Sequence, residues 1–423
     1  MDTLISNVTA VTMDEHNRIL FGAFIGIKDG KICYIDKVAP KEQPKTIIDG
    51  TGMVAIPGLI NCHTHLATTA LRSYVDDASR KEALEQQLTR EDKLDVRSAK
   101  ASALLGIAEC LRFGITSVSD LYYHPEATAQ AVEESGIKAN LALSAYRFID
   151  ENEEFSFDTD EQCKELQRLV EKWHGFDNGR IRIDGGIYGE YTSNYLLWEA
   201  VADFAAETED CLDRTGLGPG ELLNCHRMFN VPATAAGCAG LTPEDQAILG
   251  KKKVSAVITP VANGKLGLPA APIASFVKAG MNVALGTGGA IECGNLDLFE
   301  VMRCAAMGER TAAGDAGAMP AGAVLMMATT CGARAQQRAD ECGMLKTGLD
   351  ADIALVDFTA PHMMPCHNIQ SGLVFSAKGG DVAMTMVRGK VLYQNGRFPT
   401  IDLQKVVAEL TEYAIPRLLG DNA

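Results

Sequence analysis

From Pro57 to about residue 340 the chain repeats one pattern: a short apolar run that reads as a buried strand, then a longer run with apolar residues at helical spacing. Strands separated by whole helices pair in parallel, because an antiparallel neighbour needs only a tight turn. A parallel sheet is covered on both faces, so the repeat predicts an α/β chain of the TIM-like (β/α)8 barrel type. Ser98 to Phe113 is the clearest helix and stops at Gly114, Ile115 to Tyr122 and Lys138 to Ser144 are buried strands, and the charged Asp150 to Lys172 is a solvated helix. Each strand delivers its C-terminal end to the face where barrels of this kind carry their chemistry.

The alternation breaks at Tyr195. From there to Arg214 the sequence is helical throughout, with Leu196, Leu197, Ala200, Val201, Phe204 and Leu212 on one stripe, and no strand intervenes before a second helical run from Gly220 to Phe229. One β-strand unit of the barrel is therefore expected to be missing. Outside the repeat, residues 1 to about 54 are short β-type runs punctuated by Asp29-Gly30 and Asp49-Gly50. They are too short to enclose a core and need partners, for which Ala351 to Asp357, Val382 to Val387 and Lys390 to Tyr393 are the candidates.

Composition narrows the partners. Hydrophobic residues make up 47% of the 423, enough for a large core, and 39 Lys plus Arg against 55 Asp plus Glu leave a net charge of −16. That balance argues against nucleic acid or an anionic membrane as partner. The twelve cysteines form no CxxC pair and no framework spacing, as expected of reduced thiols in a cytoplasm. The start, Met1-Asp-Thr-Leu-Ile-Ser, lacks a basic segment ahead of an apolar one, and no apolar run is long enough for a membrane span, so a cytoplasmic protein is expected.

The sharpest chemical signal is Ala55-Ile-Pro-Gly-Leu-Ile-Asn-Cys-His63-Thr-His65-Leu. Positions i and i+2 of a strand face the same side, so His63 and His65 present two imidazoles together, a pair suited to one transition metal. With the Leu71-Arg-Ser-Tyr and Asp76-Asp77 that follow, this stretch resembles the first barrel strand of the amidohydrolase superfamily, nearest its chlorohydrolase and methylthioadenosine/adenosylhomocysteine deaminase branch. The closing motifs Gly343 to Asp357 and Val387 to Tyr393 resemble the same family, and the likeness extends over about residues 1 to 400.

The resemblance implies three regions: residues 1–54 and 346–423, the latter with a terminal helix, forming one small β-sandwich, and residues 55–345 forming a metal-dependent hydrolase barrel. It implies a divalent metal, zinc or iron, on His63 and His65, a nucleoside or other N-heterocycle as small-molecule partner, deamination as the reaction, and a homo-oligomer. It also shows what this chain lacks. Phe204-Ala-Ala-Glu207-Thr-Glu-Asp-Cys211 looks like the two flanks of the family's histidine- and glutamate-bearing strand joined directly; Gly237 stands at another histidine, Gly288 at the metal-binding aspartate, and Tyr188 at a substrate-contacting histidine.

A hydrolytic metal needs three or more protein ligands and an open position for water, whose pKa it lowers toward about 7. Glycine supplies neither ligand nor base. Three readings follow: an amidohydrolase with impaired or lost activity; a non-catalytic binding or regulatory pseudoenzyme; and an active hydrolase with a metal site rebuilt from Cys225, His226, Glu292 or Cys293. Cys238, beside Gly237, is expected to point away from the barrel interior. His226 is expected at the surface, and His124 at the pocket mouth or without a role.

Overall fold

The computed structural model describes residues 1–143, 149, 155–187, 193, 195–206, 219–226 and 228–420. The first strands in chain order are β1 (Thr3–Val11), β2 (Ile19–Lys28), β3 (Lys31–Asp36), β4 (Thr46–Asp49) and β5 (Met53–Pro57). They join β14 (Ile353–Asp357), β15 (Val382–Val387) and β16 (Lys390–Gln394) in one eight-stranded mixed sheet, ordered β16-β15-β14-β5-β1-β2-β3 with β4 beside β1. The termini do combine, as expected, but hydrogen bonding links their strands into a single sheet. Ile5, Ile25, Ile27, Ile353 and Leu355 form its own apolar cluster.

The remaining strands are parallel: β6 (Leu59–His65), β7 (Ile115–Tyr122), β8 (Lys138–Leu143) and β9 (Ile181–Asp184), then β10 (Thr234–Ala236), β11 (Ser255–Ile258), β12 (Asn282–Leu285) and β13 (Gly288–Gly289). They form sheets ordered β13-β6-β7-β8-β9 and β10-β11-β12. Gly286 N–H donates to the Ile258 carbonyl (3.0 Å) and Thr287 N–H to the His63 carbonyl (3.0 Å), so β12 and β13 act as successive halves of one strand joining the two sheets. Among the described residues no further strand pairs with the outer edge of β9 or of β10.

In the run from Ala55 to His65, Pro57-Gly58 marks the turn into the histidine strand, and the chain is divided there between two sheets. Before it, β5 pairs with β1 and β14. After it, Leu59 N–H donates to the Gly114 carbonyl (2.9 Å) and β6 pairs with β7. Pro57 fits this hand-over, having no N–H to leave unpaired where the chain changes sheets.

Helix α1 (Arg80–Glu91) begins in a capping box between Ser79 and Glu82. Helix α2 (Val96–Arg112) is capped by Asp95, whose carboxylate accepts Ser98 N–H at 2.8 Å, and it packs Ala103, Ile107 and Leu111 against the main core. The helix read over Asp150 to Lys172 is present over Glu161–Trp173, started by Asp160. The helical run from Tyr195 is present to Ala206, and its continuation through Glu207 to Arg214 lies outside the described residues.

At the N-terminal ends of the parallel strands, Lys138 opens β8 fully buried, and its ammonium donates to Asp350 (2.8 Å) and Asp352 (2.6 Å) just ahead of β14. Arg388 also donates to Asp350 (3.1 Å). This cluster ties the terminal sheet to the parallel one. Among the described residues no helix is long and apolar enough to cross a membrane.

Candidate functional site

The site lies at the opposite, C-terminal ends of these strands. His63 and His65 close β6 with ring centroids 4.7 Å apart and planes at 83°, the shared face that their spacing predicts. His65 Nδ1 lies 2.7 Å from the Leu121 carbonyl; a carbonyl only accepts, so Nδ1 carries the proton, the arrangement by which metal-ligating histidines are usually oriented. Burial, with the neighbouring His65, depresses the His63 pKa to about 3, so this imidazole is neutral.

Asn61 braces the strand. Its amide donates to Thr287 Oγ1 (2.8 Å) and its oxygen accepts Thr287 N–H (3.1 Å), fixing β6 against the turn between β12 and β13. The approach is so close at Gly286 that a Cβ there would lie 2.8 Å from the His63 Cβ. Asp120 on β7 accepts Leu66 N–H (2.6 Å) and turns the chain after His65; burial raises its carboxyl to about 6 against that hydrogen bond and the pull of His65.

Two carboxylates stand near the histidine pair. Glu91, the last residue of α1, is 6% exposed. One of its oxygens accepts Gln87 Nε2 (2.6 Å) and the Tyr122 hydroxyl, while Oε2 is buried without a hydrogen-bond partner. Burial raises its pKa, the hydrogen bonds from Tyr122 and Gln87 oppose that, His65 also lowers it and Glu292 raises it, so Glu91, His65 and Glu292 share one electrostatic neighbourhood. Glu292 accepts Gly289 N–H on Oε2 (2.8 Å). That oxygen stands 2.8 Å from where a Cβ on Gly288 would lie, and Gly288 itself has φ +74°. A carboxylate therefore sits beside Gly288, where the resemblance places an aspartate, delivered from four residues further on. Neither the role of Glu91 nor the reach of Glu292 was legible as a contact in the sequence.

The other candidates are tied up elsewhere. Cys293 donates to the Gly289 and Asn295 carbonyls (3.0 and 2.7 Å), and burial pushes its thiol up to about 12. Cys238 begins a short 3-10 turn, since β10 has already ended at Ala236, and strand alternation does not govern it; its sulfur is packed in the main core, donates to the Ala235 carbonyl (3.1 Å), and is pushed up to about 12 by burial. His226 is buried rather than exposed, stacked on Tyr195 at 5.2 Å with Nδ1 2.9 Å from Glu199. Cys225, half-buried, ends the preceding helix. His124 precedes the helix Pro125–Ser135 with its Nε2 bonded to the Leu94 carbonyl (3.0 Å). Gly237 has φ +72° and open space around a notional Cβ. Tyr188 and Glu207 lie outside the described residues.

The sequence profile of the Amidohydrolase family matches residues 54–392. The chain belongs to the amidohydrolase family. It is 35% identical to a 5-methylthioadenosine/S-adenosylhomocysteine deaminase of Moorella thermoacetica, over 92% of this chain and 94% of that one. To a 5'-deoxyadenosine deaminase of Methanosarcina mazei it is 36% identical over 98% of each. Among solved structures, an adenosine deaminase from Xanthomonas campestris with bound zinc matches in fold with TM-score 0.89 at 24% identity over 98% of each chain. The zinc-complexed atrazine chlorohydrolase of Arthrobacter aurescens matches with TM-score 0.88 at 27% identity over 98% of this chain and 100% of that one.

Zinc in those structures makes the donor set here a direct question. Among the described residues no group of three or more His, Cys, Asp or Glu side chains is arranged to hold a metal ion. His63 and His65 form a pair, position 288 offers no ligand atom, and the nearby Glu292 carboxylate is held by a backbone N–H. The described donors do not fit a hydrolytic metal.

Proposed function

We propose that this amidohydrolase-family chain keeps the pocket of a nucleoside deaminase and binds a purine-nucleoside-type N-heterocycle in the cytoplasm without the metal-assisted hydrolysis expected of its relatives. The observation carrying this reading is the glycine at position 288, with the Glu292 carboxylate lodged beside it and, among the described residues, a histidine pair but no third donor grouped with it. Hydrolysis of this kind needs a metal to make hydroxide at neutral pH and a base to move protons. The nucleoside class is supported by the printed activities of the relatives, which align over nearly the whole chain. The buried Glu91 Oε2 agrees with it, since an unpartnered buried acceptor is suited to a ligand donor such as a hydroxyl.

A second reading, an active or impaired hydrolase with a rebuilt site, is favoured by the same Glu292, a carboxylate within reach of position 288. Ammonia release from adenosine, 5'-deoxyadenosine and 5'-methylthioadenosine, with zinc or iron added, separates the two. The first reading expects no release above that of the His63→Ala, His65→Ala double variant. Turnover that the double variant loses would overturn it.

A further inference from the structure

Helix α1 has an inner face that the fold covers and an apolar ridge that it leaves open. Ala83, Gln87 and Glu91, four residues apart, are buried along the inner face, whereas Leu84 and Leu88 are 43% and 42% exposed. Single exposed leucines are ordinary, but two of them one turn apart form a ridge of the kind that packs into the groove of another helix. The adjoining surface continues it. The C-terminal helical run from Leu403 to Leu419 lies across α2 and reaches α1. Arg97 pairs with Glu409 and Arg417 with Asp95, and Leu418 shares an apolar cluster with Leu94. On this surface Val96 and Val407 are also exposed, and Leu403, Val407, Ala408 and Thr411 line an open groove of about 440 Å3.

The charges around the ridge favour one occupant. The chain as a whole carries −16, yet residues 80–93 hold four basic and four acidic side chains, so this stretch is neutral on a molecule that otherwise repels its own copy. Lys81 stands three residues before Leu84 and Asp92 four after Leu88, spacings that put both on the side of the ridge, and both are exposed. A second α1 laid antiparallel on the first, with the two-fold axis at Gln86, sets each Leu84 against Leu88 of the other copy. Lys81 of each copy then meets Asp92 of the other, within one residue, at both ends of the contact. A parallel arrangement would set lysine on lysine and aspartate on aspartate. We propose that α1 is the centre of a two-fold contact between two copies of this chain, antiparallel across the Leu84–Leu88 ridge. Helix α1 is about 18 Å long, too little alone for the roughly 800 Å2 per partner of a standard interface, so Val96 and the groove from Leu403 to Thr411 belong to the same contact. Such a contact, isologous by its symmetry, backs the helix whose inner face carries Glu91.

Sedimentation equilibrium of the full chain at neutral pH tests it, at about 50 μM, well above a micromolar dissociation constant. The expected mass is that of two chains. The Leu84→Glu, Leu88→Glu double variant should weaken the dimer at least about a hundredfold, since it places four carboxylates in the centre of the contact. Lys81→Asp sets acid against acid at both ends and should weaken it about tenfold, and adding Asp92→Lys should restore it to within about threefold of the parent. This pair carries the test should the leucine variant fail to fold. Val277→Glu, at an apolar side chain exposed on a different helix, should leave the mass unchanged. A single-chain mass for the parent overturns the proposal. A dimer that withstands the leucine variant places the contact elsewhere and overturns it too. Loss on Lys81→Asp without recovery on adding Asp92→Lys overturns the antiparallel register.

Discussion

The two ends of the parallel strands treat buried charge in opposite ways. At the N-terminal ends, Lys138 has no exposure at all and meets two carboxylates, with Arg388 alongside, and the cluster fastens one sheet to the other. At the C-terminal ends, Glu91 sits near His65 and Glu292 with a buried oxygen left over. A polar cluster whose members satisfy one another contributes a unique arrangement of the fold; one that leaves a group unsatisfied is waiting for something the chain does not contain. The first is a joint; the second, on the function proposed above, is the receptor.

Removing one partner from the joint should have the largest effect. Lys138→Met leaves Asp350 and Asp352 without their buried cation and should cost about 3–5 kcal/mol, read as a lowered urea midpoint with an unchanged slope. A midpoint within error of the parent would mean that the cluster holds nothing.

Next comes a contrast between the two glycines of the receptor end. Gly288→Asp places a side chain 2.8 Å from Glu292 Oε2 at φ +74°. It should combine roughly 1–2 kcal/mol of left-handed strain with about 1–3 kcal/mol of crowding. Gly237→His enters open space at φ +72° and should cost only the first of these, about 1–2 kcal/mol. Equal losses in thermal unfolding would show that Glu292 does not occupy the place beside position 288.

A smaller effect is expected at Asp95, which caps α2. Burial raises its carboxyl, but hydrogen bonds from Ser98 and Tyr413 outweigh that and, with Arg417, bring it down to about 2. A depressed folded-state pKa gives stability that is present above pH 4 and lost as pH falls toward 2. Asp95→Ala should therefore cost about 1 kcal/mol at neutral pH and flatten the acid limb of a stability–pH curve. The smallest effect is Glu91→Gln. Its amide oxygen can still accept from Tyr122 and Gln87, and it removes a carboxylate that burial disfavours, so stability at neutral pH should stay within about 0.5 kcal/mol or rise slightly. A loss as large as that of Lys138→Met would make the pocket a second joint and erase the comparison.

Much of the joint's scaffold was legible in the sequence, because strand and helix periods, Gly114 after α2 and the β-type runs of both termini are local signals. The shared face of His63 and His65 was legible for the same reason. The turn at Pro57-Gly58 was legible as well, but not that the two sides of it belong to different sheets, which depends on the neighbours each half bonds. Lys138, a charge opening an apolar strand, was a visible anomaly, but its partners lie more than two hundred residues away. His226 looked like a surface residue because its stack on Tyr195 and its bond to Glu199 bring together helices separated by other chain segments. Glu292 was visible as a candidate, and its approach to position 288 came only from the turn geometry after β13.

The central claim, that the strand-end histidines survive without the metal site of the relatives, is tested most directly by metal content. Elemental mass spectrometry on protein purified without chelator, beside the His63→Ala, His65→Ala double variant, should find the same background of zinc, iron and manganese in both. Close to one metal per chain, lost in the double variant, would contradict it.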